Sequence, residues 1–237
     1  MIRKLLIVAA SALVLAILSF SIGWVVGGPA ILEHINKEGG ISVDLDDDDP
    51  KTPRATRSLP FDASQLMVID APVELEFTRG PEGRMTVEGP AKLVESLKIE
   101  NGRLFLDHQG IVRRGGLRIS ITAPEIPPLE LRGPGDITLI DVQQKLLKLN
   151  LAGAANVEGS GKVDMLDVNA SGAGNLDFER LAATDGKINI AGIGNADLRV
   201  SGKLDANISG AGNVTLHTKP QMLTSHVSGI GSVDENY

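Results

Sequence analysis

NASGAGNLDFERLAATDGKINIAGIGNADLRVSGKLDANISGAGN, residues Asn169–Asn213, is the stretch that decides the fold. It contains Gly172-Ala-Gly174-Asn175, Gly192-Ile-Gly194-Asn195 and Gly210-Ala-Gly212-Asn213, and the same motif extends outward in both directions. Gly133-Pro-Gly135-Asp136 and Gly153-Ala-Ala-Asn156 precede it, and Gly229-Ile-Gly231-Ser232 follows, all at a nearly constant interval. Self-similarity at a period of ~19 residues marks stacked units, each unable to bury its apolar face alone.

The neighbouring positions say what the units are. Two residues before each first glycine stand Leu131, Leu151, Ala170, Ile190, Ile208 and Val227. Directly after each Asn, Asp or Ser stand Ile137, Val157, Leu176, Ala196, Val214 and Val233, and two further on Leu139, Gly159, Phe178, Leu198 and Leu216. This period of two is that of strands. Each repeat reads as strand, tight glycine turn, strand and return loop, with glycine supplying positive φ and Asn tolerating the left-handed region. The expected fold is all-β: a right-handed parallel β-helix, or solenoid, with ~19-residue coils.

The outward columns agree with this register. Lys148, Asp167, Lys187 and Asp205 alternate in charge along the stack, and neighbours ~4.8 Å apart of opposite sign attract. Asn150, Asn169, Asn189 and Asn207 form a column whose amides can hydrogen-bond, and Ala152, Ser171, Ala191, Ser209 and Ser228 run beside it. The candidate binding face is this flat polar strip: Asn150, Asn169, Asn189, Asn207, Ser171, Ser209 and Ser228. A second outward column holds Glu158, Asp177 and Asp197, between Thr138 and Thr215, with Asp234 last. Three stacked carboxylates are candidates for a cation, a basic partner or general acid–base work on a glycan. The column contains neither Arg nor His, so solvated side chains are the plainer reading.

Ser171-Gly-Ala-Gly-Asn175 and Ser209-Gly-Ala-Gly-Asn213, with Ala191-Gly-Ile-Gly-Asn195 between them, resemble the head GIN domain of auto-transporter adhesins. The resemblance takes in Leu59-Pro-Phe61-Asp62, Pro72–Gly80 and Gly102–Leu106, and covers residues 58–237. It implies a β-helical envelope domain used in adhesion, and it brings no catalytic residues. The sequence ends at Tyr237, directly after the last motif. The expectation is that this chain is not a complete auto-transporter on its own, which would need membrane barrel strands as well.

The amino-terminal part sets the expected location. Residues 1–4, with Arg3 and Lys4, precede an uncharged run over 5–26. At ~1.5 Å per residue that run is ~33 Å long, enough to cross a bilayer. The exit, Trp24-Val-Val-Gly-Gly-Pro29, lacks an Ala-x-Ala cleavage site. An uncleaved anchor is therefore expected, with the amino terminus cytoplasmic and the solenoid in the periplasm or at the cell surface. Residues 27–57 carry Asp44-Leu-Asp-Asp-Asp-Asp49-Pro50 and read as an acidic flexible linker. A calcium loop would need glycine and Glu where Asp49 and Ala55 stand. Residues 58–128 read as irregular capping coils joined by hairpin-like turns, Arg79–Gly83 and Asn101-Gly102 among them, with a short helix over Ala91–Leu97; the regular repeats occupy 129–237.

Composition narrows the function. A net charge of −7 argues against nucleic acid and against docking on anionic lipid. The chain has no cysteine, which removes disulfides, thiolate metal sites and lipid attachment through sulfur. The histidines, His34, His108, His217 and His226, share no metal spacing and read as surface or loop residues. The glycine motifs lack the helix a dinucleotide loop requires and the short period of calcium-binding repeats. No cofactor or metal is expected. Partners are expected to be the membrane, through the amino-terminal helix, and an envelope glycan or protein, with self-association possible on flat small-residue faces. Adhesion or ligand binding by an anchored non-enzymatic domain leads; an interaction module in an envelope complex is the alternative, and a carbohydrate-active enzyme the minor one.

Overall fold

The computed structural model describes residues 53–81, 83–107 and 116–237. Residues 5–26, most of the linker over 27–57, His34 and His108 lie outside them. Among the described residues no helix is long and apolar enough to cross a membrane. Chain order runs through an opening region, β1 (Arg54–Pro60), β2 (Met67–Asp70), β3 (Val73–Arg79), β4 (Arg84–Pro90), α1 (Ala91–Ser96), β5 (Leu97–Glu100), β6 (Arg103–Leu106), β7 (Leu117–Ala123) and β8 (Leu129–Leu131). The repeats follow as β9 (Gly135–Leu151), β10 (Ala155–Ala170), β11 (Ala173–Ile190), β12 (Ile193–Val200), β13 (Lys203–Ile208), β14 (Ala211–Leu216), β15 (Met222–Val227) and β16 (Ile230–Glu235). The result is an all-β solenoid of about five turns.

Successive coils stack in parallel with the register read from the sequence: Ile137, Val157, Leu176, Ala196, Val214 and Val233 align, and so do Thr138, Glu158, Asp177, Asp197, Thr215 and Asp234. The inward residues form one apolar core running continuously from Met67 to Leu216. Gly159, which interrupts its column, makes room for the next coil. A Cβ there would stand 2.7 Å from the ring of Phe178, which is fully buried.

The return segment differs from expectation. In β9, β10 and β11 no loop closes the coil, because the strands run through for 17, 16 and 18 residues with one register shift after the motif. The return stretch is held because it contributes its own buried residues, Val142, Val163, Leu181 and Ala183, to the core.

The opening region departs further. β1 spans Arg54–Pro60, so the last residues assigned to the linker belong to a strand, which pairs antiparallel with β4. The expected hairpin of β3 and β4 does not form. Instead β7 lies between them, parallel to β3 and antiparallel to β4, and β3 lies parallel to β9. The cause is the strict alternation of Leu117-Arg-Ile-Ser-Ile-Thr-Ala123, which buries every second residue and fills the slot between the two strands. Asn101-Gly102 does form its hairpin between β5 and β6, with φ of 50° and 76°. A two-residue turn of this kind demands positive φ at both positions. The short helix is present and ends at Ser96, since Leu97 turns extended and enters β5.

Candidate binding faces of the stack

The motif corners are built for contact between coils. A Cβ on Gly172, Gly192, Gly210 or Gly229 would overlap the carbonyl oxygen of Gly153, Gly172, Gly192 or Gly210 in the coil before. Gly174, Gly194, Gly212 and Gly231 meet the carbonyls of Ala155, Gly174, Gly194 and Gly212 in the same way. Gly153 is pressed on Gly133, and Gly135 on Val73. This corrects the conformational reading, because among these glycines only Gly174 has a positive φ, at 150°. The residues are glycine because backbone touches backbone.

The motif asparagines have a different task as well. None of them takes a positive φ. Their side chains instead accept the next coil's backbone N–H groups: Asn175 N–H donates to Asn156 Oδ1 at 3.3 Å, Asn195 to Asn175 at 3.3 Å, Asn213 to Asn195 at 3.4 Å and Ser232 to Asn213 at 3.1 Å. Asn156 Nδ2 donates to Asp136 Oδ1 at 2.9 Å. An N–H left unpaired at a corner would cost its desolvation.

On the flat face the second amide column forms the ladder that its spacing predicts. Asn169 Nδ2 donates to Asn150 Oδ1 at 3.1 Å, Asn189 to Asn169 at 2.7 Å and Asn207 to Asn189 at 3.1 Å. These side chains are half-buried and committed to one another, and His226 takes the place of Asn in the last coil. Lys148 pairs with Asp167 at 3.6 Å in the column alongside. Ala152, Ser171, Ala191, Ser209 and Ser228 are exposed in every coil. Of the face singled out from sequence, the serines lie open to solvent, while the asparagines form its framework.

The acidic column is assembled in register, and each carboxylate has a partner that sequence reasoning missed. Arg180 Nη2 donates to Glu158 at 3.2 Å, the backbone N–H of Glu179 donates to Asp177 at 3.1 Å, and His217 Nε2 lies 2.9 Å from Asp197. His217 Nδ1 is also 3.9 Å from Glu179. A signal for one of these partners was available: His217 stands four residues after the motif Asn213, next to the acidic column, whereas Arg180 faces Ser160 only through the register shift after the motif. His217 is thus a half-buried partner of two carboxylates rather than a free surface residue. Among the described residues no group of three or more His, Asp or Glu side chains converges as metal ligands would.

A family profile described as "Putative auto-transporter adhesin, head GIN domain" matches residues 66–220. The chain belongs to this family. A crystal structure titled as a "putative adhesin" from Bacteroides fragilis superposes with a TM-score of 0.63 at 18% identity, covering 79% of this chain and 99% of that one. At that identity the likeness is one of fold. A "putative lipid binding protein" from Parabacteroides distasonis (TM-score 0.47, 17% identity, 79% and 98% covered) and a "putative adhesin" from Parabacteroides merdae (0.43, 17%, 79% and 98%) are also similar. No curated protein matches the chain.

Proposed function

We propose that the chain is a non-enzymatic adhesion or binding module of the cell envelope, anchored through residues 5–26 and presenting its flat amide-and-serine face to an envelope ligand. The observation that carries this reading is the pairing of a rigid ladder, Asn150 to Asn207, with an open row of small side chains, Ala152 to Ser228, along the same coils. Such a strip is preorganised and has few rotamers to lose on binding. Membership of a family described as adhesins supports it. The acidic face supports enzyme chemistry less well, because Glu158, Asp177 and Asp197 spend hydrogen-bonding capacity on neighbours in the same stack.

The test is binding of the chain, in detergent, to envelope polysaccharides and whole cells, beside Ala191→Lys/Ser209→Lys. Both positions are exposed and outside the ladder, so the variant keeps the parent's unfolding midpoint. Binding by the parent that drops at least tenfold in the variant supports the flat face; equal binding by both removes it.

A second reading, an interaction module whose partner is a protein, is favoured by the scarcity of open aromatic rings among the described residues, where Tyr237, 54% exposed, stands at the far end of the stack and Phe61 is half-buried. Phe77 and Phe178 are buried, and Arg103 covers Phe105 at 5.3 Å. That leaves little to stack on a pyranose. No binding to any polysaccharide, together with specific crosslinking to one envelope protein, selects this reading.

A further inference from the structure

One path of the sheet runs β1-β4-β7-β3-β9-β10-β11-β12-β14-β16, and among the described residues its two end strands each have a neighbour on one side only. β1 is antiparallel to β4, β4 is antiparallel to β7, and β7 is parallel to β3 and thereby to every later strand of the path. β1 and β16 therefore run in the same direction. The register carries through as well: Ser232 shares a column with Asp136, Glu74, Arg118, Glu88 and finally Thr56.

The two edges differ in charge. β1, Arg-Ala-Thr-Arg-Ser-Leu-Pro, holds Arg54 and Arg57 and no acid, while β16, Ile-Gly-Ser-Val-Asp-Glu, holds Asp234 and Glu235 and no base. In the last coil Val227 is 39% exposed where Ile208 beneath it is 1%, and Ile230, the first residue of β16, is 83% exposed. Charges at a sheet edge repel a copy of the same edge. Here the two edges carry charges of opposite sign, and in this register Arg57 stands diagonally across from Glu235.

We infer that the chain stacks on a second copy of itself head to tail, the β16 edge of one copy pairing in parallel with the β1 edge of the next. A tail-to-tail pair would set Asp234 and Glu235 against themselves. The contact is confined to this one path, because at the head α1 packs beside β1 and β4 with Val94 buried. It is heterologous and does not close, so it produces chains of copies rather than a dimer.

The absence of cysteine from the sequence makes the test clean. Thr56→Cys and Ser232→Cys, together in the full chain in detergent, place thiols in one column, at the separation of paired strands that a disulfide can bridge. Under mild oxidation the double variant gives a ladder of dimers, trimers and longer products; each single variant alone stays monomeric, and an equal mixture of the two stops at dimers. Arg54→Glu/Arg57→Glu in the double-cysteine background lowers the crosslinked fraction at least tenfold, and adding Asp234→Lys/Glu235→Lys restores it, which a misfolded variant would not do. Sedimentation of the cysteine-free parent is an independent reading: its mean mass rises with concentration at low salt and falls at high salt as the screening length shortens. A monomeric parent at every concentration, or dimers from Ser232→Cys alone, overturns the inference.

Discussion

The opening region and the repeat stack share one core but are fixed by different devices. In the stack, from Gly133 onward, the coils are located by backbone contacts at the glycine corners and by two amide ladders. In the opening region, Arg54 to Leu131, strands of unlike sequence are tied across their outer faces by ion pairs, each between parallel neighbours: Arg118 to Glu74 at 2.9 Å, Arg103 to Asp70 at 2.5 Å, and Arg79 of β3 to Asp141 of the first repeat coil at 2.9 Å. An amide ladder requires identical residues at identical positions, so it belongs to a repeat. Ion pairs can join unlike partners, so they add to the stack at Lys148–Asp167 and Arg180–Glu158 and supply the cross-strand ties where no amide ladder can form. The lesson is that the regular half of a solenoid is specified by what every coil has in common, and its end by particular long-range pairs.

The largest expected effects ask whether the two regions are one folding unit. Phe77 in the opening region and Phe178 in the stack are both fully buried rings, and replacing either by Ala is expected to cost about 4 kcal/mol. Because the core is continuous, urea unfolding of both variants stays a single transition. Two separated transitions in Phe77→Ala would break the comparison into two independent domains.

Next in size is the contrast between ladder and ion pair. Asn189→Ala deletes the link between Asn169 and Asn207 and leaves both short of a half-buried partner. The expected loss is about 1.5 kcal/mol. Arg103→Ala deletes an ion pair whose side chains are 48% and 38% exposed. Pairs as open as this are expected to cost below about 1 kcal/mol. Unfolding midpoints measured side by side decide the order, and an ion pair worth more than the ladder link would reverse the account of what holds each region.

The smallest effect lies at the far end of the stack. Tyr237, the one tyrosine, donates its hydroxyl to Glu235 at 2.6 Å, and this bond, aided by some burial and by the carboxylate's charge, raises the phenol above its ordinary range. Tyrosinate absorbance followed against pH reads this group alone. The neutral phenol persists to higher pH in the parent than in Glu235→Gln, and coincident titrations would show that the bond is absent in solution.

How much is legible in the sequence follows the same division. Columns separated by one period can be aligned by inspection, so the register of Val157, Leu176 and Ala196, the Asn150 to Asn207 ladder and the acidic column can all be read there. The insertion of β7 between β3 and β4 cannot, because the pairing partners of Leu117–Ala123 lie at unlike sequence distances and nothing repeats to reveal them. Within the stack, the misreading concerns cause rather than place. Glycine and asparagine next to each other look like a turn in the left-handed region, whereas the stack uses glycine for the absence of its Cβ and asparagine for its carbonyl oxygen. The role of His217 is invisible when histidines are compared with one another, because its partners, Asp197 and Glu179, are carboxylates of earlier coils.

The claim that the corners are glycine because coils touch there is tested most directly at Gly192, whose φ is not positive and whose Cβ would overlap the carbonyl of Gly172. Gly192→Ala and Gly192→Asn, compared by urea unfolding, separate the two causes. Close approach predicts that Ala costs about 3 kcal/mol through overpacking and that the larger Asn costs more. A left-handed backbone would predict the opposite order, since Asn tolerates that region better than Ala. Asn milder than Ala would contradict the account.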